Sequence, residues 1–279
     1  MPTIHLTVAT YNVFNGRHPE AVLQNIHRLA RGGATVICLQ EARRVPGRPF
    51  IGHQAQKKLG RGWGSDFFVA QHSTFPKRDL GLAIFWRSAV LQPLGHEHII
   101  LPKIRRYNLV RKIATLKSAP AQRGAMVSRF RIGHKTLRLI NVHLDVMGGM
   151  RHRFLQIKYL MTKANHERSP NFDIVCGDFN TIGPKFWQRR EEKKLQAILG
   201  ENFQDASIHL PYSFRIKSIQ KTSVAHELHL TVLLQKVVNH LFPQRLDYIW
   251  NRGLHVTRAH VVHLEGSDHL PVVADFQVP

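Results

Sequence analysis

Short apolar runs with a two-residue period alternate along the chain with longer amphipathic stretches, and the apolar runs repeatedly stop at a polar residue. Thr3 to Val13 alternates as a strand and leaves Asn12 at its end. His18 to Arg31 places Val22, Leu23, Ile26, Leu29 and Ala30 at helical spacing, with Pro19 suited to a first turn and Gly32-Gly33 as a stop. Thr35 to Gln40 then reads as a strand buried on both faces that ends at Glu41. The N-terminal segment therefore predicts a β-α-β unit that brings two polar tips to one edge of a sheet.

Phe67 to Gln71 and Leu80 to Trp86 predict the next two strands, joined by the turn-rich Ser73 to Asp79. From Leu101 to Lys117, Lys103, Arg105, Arg106, Arg111, Lys112 and Lys117 interleave with Ile104, Tyr107 and Leu109, either as a charged solvated face or as a surface that tracks phosphates. Arg123 to Val127 opens another strand, and Leu137 to Val142 is a clean one ending at His143. A helix over about 151–165 turns Phe154, Ile157, Leu160, Met161 and Ala164 inward and Arg151, Arg153, Lys158 and Lys163 outward. The strand from Asp173 closes this second β-α-β unit at Cys176-Gly177-Asp178-Phe179-Asn180, where Asp178 and Asn180, two apart, point the same way. A helix over Glu191 to Leu199, a strand at Arg245-Leu246-Asp247-Tyr248 and a strand opened by Ser267-Asp268-His269-Leu270-Pro271-Val272 complete the pattern. Between them Leu228 to Phe242 satisfies a strand period and a helical one in turn, and Pro243 as a stop favours a helix.

Composition narrows the classes. With 279 residues and 43% hydrophobic positions the chain suits one large core, so a single domain is expected over residues 1–279, with an insertion at about 213–243. Lys and Arg outnumber Asp and Glu by 40 to 18, a formal charge of +22 that attracts nucleic acid, anionic membrane surfaces or phosphorylated small molecules. Cys38 and Cys176 lie in apolar runs as core residues and not as a disulfide framework. The chain shows neither a signal peptide nor an apolar run long enough to span a bilayer, so a soluble, cytoplasmic protein is the default expectation. No protein partner is evident.

Taken together and in this order, the strand ends Val8–Asn12, Val36–Glu41, Leu139–Asp145, Ile174–Asn180 and Arg245–Tyr248, with Ser267–Val272, resemble the endonuclease/exonuclease/phosphatase superfamily. The resemblance spans nearly the whole chain and implies a deoxyribonuclease I-like fold: a four-layer α/β/β/α sandwich of two packed mixed β-sheets flanked by helices. It also implies a metal-dependent phosphodiesterase. His143 in a Val-His-Leu ending resembles the deoxyribonuclease I, sphingomyelinase, deadenylase and inositol-phosphatase branches, whereas the exonuclease III branch delivers a tyrosine there.

The chemistry fits these residue types. Attack of water on a phosphodiester needs a hard divalent cation, neutral donors and a base. Glu41 with Asn12, extended by Asp268, would hold Mg²⁺, or Mn²⁺ in its place. By the resemblance His269 is the base and Asp247 holds its tautomer, Asp178 orients or deprotonates the water, Asn180 donates to the phosphoryl oxygens, and His143 completes the acid–base set. By the same resemblance Arg43, two after the glutamate, matches an arginine that contacts the nucleic acid, and Arg123 one that grips the phosphate of the scissile strand. In deoxyribonuclease I the histidine that His143 matches pairs with a glutamate at the start of an earlier strand, for which Asp79 is the nearest candidate here. The leading expectation is a nuclease acting on DNA or RNA. The alternatives are a phospholipid, sphingomyelin or phosphoinositide phosphodiesterase and a non-catalytic nucleic-acid-binding module.

Overall fold

The computed structural model describes residues 4–44, 49–71, 79–104, 121–166, 169–214 and 244–279. The 213–243 insertion, apart from Ser213 and Phe214, the turn at 73–78 and the basic residues from Arg105 to Lys117 lie outside the described residues.

Two six-stranded sheets pack face to face. The first, in the order β11-β12-β1-β2-β4-β3, contains β1 (Ile4–Asn12), β2 (Val36–Arg44), β3 (Trp63–Gln71), β4 (Asp79–Arg87), β11 (His255–Val261) and β12 (Val272–Val278). The second, in the order β5-β6-β7-β8-β10-β9, contains β5 (Gln92–Ile100), β6 (Gly124–Ile132), β7 (Lys135–His143), β8 (Phe172–Asp178), β9 (Gln204–Asp205) and β10 (Asp247–Arg252). Helices α1 (Pro19–Arg31) and α2 (Ile51–Leu59) pack on the outer face of the first sheet. Helices α3 (Gly149–Ala164) and α4 (Lys185–Leu199) pack on the outer face of the second. The architecture is thus the expected four-layer sandwich.

Three apolar layers follow from strands buried on both faces. Leu6, Val8, Val36, Cys38, Leu139, Ile174, Cys176 and Phe276 meet between the sheets, Ala9, Ile37 and Leu39 face α1, and Val142, Val175 and Tyr248 face α3 and α4. Both cysteines are free thiols in the central layer, as expected. Among the described residues no helix is long and apolar enough to cross a membrane.

Each sheet contains one parallel pair, β1 with β2 and β7 with β8, and each pair is joined by a helix, α1 or α3. A parallel pair presents both carboxyl ends at the same edge. Antiparallel partners begin where those strands end: Asp247 at the start of β10 lies opposite Asp178, and Asp268-His269 immediately precede β12. Gly177 permits this close approach, because its φ is 141° and a Cβ there would overlap the Val142 carbonyl oxygen.

Three expectations are corrected. The last long helix begins at Lys185, six residues before Glu191, because its inward stripe is Gln188, Glu191, Leu195 and Leu199 and so begins with two polar residues. Arg153 points inward: its guanidinium forms a two-pronged pair with Glu191 at 2.6 and 2.8 Å that ties α3 to α4. Helix α2 and strands β5, β9 and β11 were not expected; β5 and β11 lie at sheet edges, β5 largely exposed and β11 nowhere fully buried, which removes the alternation that betrays a half-buried strand.

Candidate active site

The ends of β1, β2, β7 and β8 and the starts of β10 and β12 meet at one rim of the sandwich. They bring together Asn12, Glu41, His143, Asp178, Asn180, Asp247, Asp268 and His269. A polar layer lies beneath them, where Gln40 Nε2 donates to Asn141 Oδ1 at 2.7 Å and Asn141 Nδ2 donates to the Leu39 carbonyl at 3.0 Å, joining the two sheets.

The carboxylate side of the site is set by an irregularity in β2. Register with β4 shifts between Leu39 and Ala42, and Glu41 adopts φ 56°, so the bulge turns its side chain away from the ladder. Glu41 Oε2 accepts from the Asn15 backbone N–H at 2.9 Å, which fixes the carboxylate from the loop after β1. Asn12 spans the two sheets: its Nδ2 donates to Asp178 Oδ2 at 2.9 Å and its Oδ1 accepts from Phe14 N–H at 3.0 Å. The approach to β12 is pinned by Ser267, whose Oγ donates to the Asn12 carbonyl at 2.7 Å and accepts from the His269 backbone N–H at 3.1 Å.

The two histidines are equally buried and carry opposite protonation biases. His269 Nδ1 lies 2.8 Å from Asp247 Oδ2, and the same oxygen accepts from Ser213 Oγ at 2.7 Å. Burial alone would lower the His269 pKa, but Asp247 and Asp178 outweigh it and hold the imidazole well above its ordinary value. Its free Nε2 stands 3.9 Å from Asp178 Oδ2. Asp178 itself is pushed up to about 7 by burial and by Asp247, against the lowering effect of His269. Both groups are thus shifted in the same direction, each holding its proton more firmly than an isolated side chain would.

His143 is lowered well below its ordinary value by burial, by Arg123 and by His269. Its Nδ1 lies 3.1 Å from Arg123 Nη1, and a guanidinium only donates, so Nδ1 is the acceptor and the ring proton sits on Nε2. That Nε2–H faces Asp178 Oδ2 at 3.6 Å and Glu41 Oε1 at 3.8 Å, both too long for a hydrogen bond and wide enough to admit a third oxygen. The pairing expected between His143 and Asp79 is thus replaced by Arg123, which β6 delivers across from β7. Arg123 is engaged with the ring, and among the described residues its buried Nε has no hydrogen-bond partner.

Two further expected residues are placed as follows. Asn180, at φ 52°, gives one amide hydrogen to the Leu144 carbonyl at 3.0 Å and retains the other, and its backbone N–H holds Asp178 Oδ1 at 2.9 Å. Arg43 lies on β2 beside Gly16, half-buried, two residues beyond Glu41. Sequence reasoning gave no role to Ser213, Ser267 or the Arg123 to His143 contact. The Ser-Asp-His run hinted at Ser267, whereas Ser213 and Arg123 become partners only through tertiary pairing.

Two groups of side chains have the chemistry to hold a cation. Asp178, Asp247 and His269 lie within 4.8 Å of one another, but their spacing is that of a hydrogen-bonded relay, and an ion there would displace the Asp247 to His269 bond. Glu41 and Asp268 fit better. Asp268 is pushed up to about 6 by burial and by the charge of Glu41, opposed by His269, so two carboxylates face a shared region. Hard oxygen donors with the second lone pair of Asn12 Oδ1 suit Mg²⁺ or Mn²⁺.

A family model described as the Endonuclease/Exonuclease/phosphatase family matches residues 9–269. No curated protein sequence matches. Among solved structures, an endonuclease/exonuclease/phosphatase family protein from Leptotrichia buccalis superposes with TM-score 0.71 at 15% identity, covering 97% of this chain and 99% of that one. D. rerio TDP2 complexed with single strand DNA product gives 0.66 at 17% identity, covering 98% of each chain. The human Nocturnin catalytic domain with bound sulfate gives 0.63 at 17% identity, covering 98% of this chain and 97% of that one. These likenesses agree with the two-sheet sandwich, and the match over residues 9–269 establishes that the chain belongs to the Endonuclease/Exonuclease/phosphatase family.

Proposed function

We propose that the chain is a metal-dependent phosphodiesterase that hydrolyses nucleic-acid strands. The observation that carries this reading is the meeting, at one rim, of a carboxylate-held imidazole, a carboxyl poised near neutral pH and a neutral imidazole N–H, in a chain of charge +22. The family supplies the reaction class, hydrolysis of phosphoester bonds.

Glu41, Asp268 and Asn12 would hold a Mg²⁺ or Mn²⁺ ion, which when bound neutralises charge on a phosphoryl oxygen. The protein's own groups do the rest. Asp247 orients the His269 ring and sustains its basicity, and Asp178 with His269 removes the proton from the attacking water. His143 donates from Nε2 to an oxygen of the phosphate in the gap it shares with Asp178 and Glu41, and the remaining amide hydrogen of Asn180 adds a second donor. The substrate class follows from charge, since a field of this sign favours a polyanion over a zwitterionic lipid headgroup. A D. rerio relative in fold holding a single-strand DNA product is consistent with that choice.

The test is a panel of single- and double-stranded DNA, RNA and choline phospholipid vesicles, with Mg²⁺ or Mn²⁺ and a chelator control. Strand cleavage that requires the metal and weakens steeply with salt is expected. Hydrolysis of choline phospholipids alone would overturn the reading.

A further inference from the structure

The loop after β8 leads into a surface feature that neither the catalytic groups nor the core explains. Phe186 and Trp187, in the first turn of α4, are 65% and 52% exposed, and Ile182 just before them is 50% exposed. A folded chain rarely leaves two adjacent large aromatic side chains in water without use for them. The rings meet edge to face at 5.3 Å and 60°.

Their mounting is rigid and close to the site. Trp187 N–H donates to the Pro184 carbonyl at 2.9 Å, and the buried Gln188 Nε2 donates to the Thr181 carbonyl at 2.8 Å and to Gln244 Oε1 at 3.1 Å. Gln244 Oε1 also accepts from the Gly183 N–H at 3.0 Å. Thr181 and Gln244 are each three residues from a catalytic aspartate, Asp178 and Asp247, which puts the aromatic pair within about 20 Å of both. Lys185, Arg189 and Arg190 around the pair are exposed, and no acidic residue occurs from Thr181 to Arg190.

We infer that Phe186 and Trp187 form a stacking platform for bases of single-stranded nucleic acid, with Lys185, Arg189 and Arg190 holding its phosphates. The inference rests on the nucleic-acid reading above and specifies the form of the strand. Aromatic rings interleaved with cations bind unstacked bases irrespective of sequence, whereas bases stacked in a duplex are closed to them. A bilayer surface fits less well. Beyond its first turn the exposed side of α4 is Arg189, Arg190, Lys193 and Lys194, while Leu195 and Leu199 face the core, so α4 has no continuous apolar face to lie in lipid.

The chain carries its own reporter. Of its four tryptophans, Trp63, Trp86 and Trp250 are buried, and Trp187 alone is exposed. Binding of a 5′-labelled oligothymidylate of about twelve nucleotides would be measured in chelator by fluorescence anisotropy, with tryptophan emission followed in parallel. The controls are a base-free strand of equal charge and anionic phosphatidylserine vesicles. The oligothymidylate is expected to quench Trp187 and to bind roughly tenfold or more tighter than the base-free strand. Trp187→Ala and Phe186→Ala should each remove most of that preference. Trp187→Phe should abolish the quenching and keep the preference. Equal affinity for the two strands, saturation without quenching, or a blue shift produced by vesicles and not by the oligonucleotide would each overturn the inference. Binding in chelator is independent of cleavage, so a protein that cuts strands without the quenching refutes the platform alone. A protein that shows the quenching but cuts nothing refutes the hydrolytic reading alone.

Discussion

Strands β7, β8 and β10 carry charge at both ends of the second sheet, and the two ends are built on opposite terms. At the end away from the site Asp173 accepts from Arg138 Nε at 2.6 Å and from Arg252 Nε at 2.6 Å, and Arg138 also reaches the Ala164 carbonyl at 2.7 Å. The one carboxylate there is shared by two arginines, both of opposite sign to it. At the site end the register sets Asp178 opposite Asp247, and among the described residues neither meets an arginine or a lysine. Among the described residues Asp247 Oδ1, which is buried, has no hydrogen-bond partner. Matched charges fix a register and do nothing else. Left without a basic partner in a dry rim, Asp178 holds its proton far above the ordinary carboxylate range, as a site for acid–base hydrolysis requires.

The widest separation between the two ends is expected from Asp173→Ala and Asp178→Asn. Asp173→Ala leaves the buried Arg138 without its counter-charge and should cost about 3–5 kcal/mol of stability in a denaturant titration, with kcat per folded molecule kept. Asp178→Asn should lower kcat by about 10²–10⁴-fold and leave the protein folded. If both variants lost stability alike and kept activity alike, the two ends would not differ in kind.

Next in size is the His269 relay. His269→Ala should remove about 10²–10⁴ of kcat with little change in strand affinity, read as a split between kcat and Kd. Asp247→Asn should act as a weaker copy, since the ring remains but loses the charge that sustains its basicity. Full activity and an unchanged pH profile in Asp247→Asn would leave Asp178 alone as the base.

Arg123→Ala should lower kcat by about 10- to 100-fold, the worth of a hydrogen bond from a charged donor. The ring nitrogen signals of His143 should then lose their fixed Nε2–H tautomer, whereas Arg123→Ala acting only through phosphate binding would raise KM and leave those signals in place.

The smallest effect concerns pH. Asp178 carries its proton up to about 7 in the folded, metal-free protein, against an ordinary 3.8. The unfolded chain releases that proton first, so the contribution of Asp178 to stability is whole below pH 3.8 and is lost as pH rises through about 7. Asp268 acts in the same direction between 3.8 and about 6. His143, lowered in the fold, runs the other way below its ordinary 6.5, but it is common to wild type and Asp178→Asn. The Tm advantage of metal-free Asp178→Asn over metal-free wild type should therefore grow from pH 4 to pH 8 and shrink when Mg²⁺ is added. A pH-independent difference would place the Asp178 proton elsewhere.

The strand tips were legible because a buried strand announces its end: Asn12, Glu41, His143 and Asp178 each follow an apolar run that needs no other explanation, whereas Asp247, read as a strand end, opens β10. Two parallel pairs with helical crossovers then force four of those ends to one rim. What could not be read was how the tips divide their hydrogen bonds. The contact between Arg123 and His143 depends on β6 pairing with β7, and Ser213 meets Asp247 through tertiary bonds, its N–H to the Gln244 carbonyl at 3.0 Å and its own carbonyl to Leu270 N–H at 2.7 Å. The first turn of α4 was missed because its residues are aromatic and exposed, a pattern that argues against a helix facing the core.

Glu41 shows how selection would act on such a site. Its backbone stands at φ 56°, a conformation that costs a non-glycine residue about 1 kcal/mol and that glycine or asparagine adopts more readily. Lineages screened for folding alone should therefore drift from glutamate to glycine at position 41, and lineages screened for hydrolysis should hold it. A deep mutational library sorted separately by protease resistance and by turnover would show position 41 changing sides between the two lists, the mark of a residue kept against its own backbone.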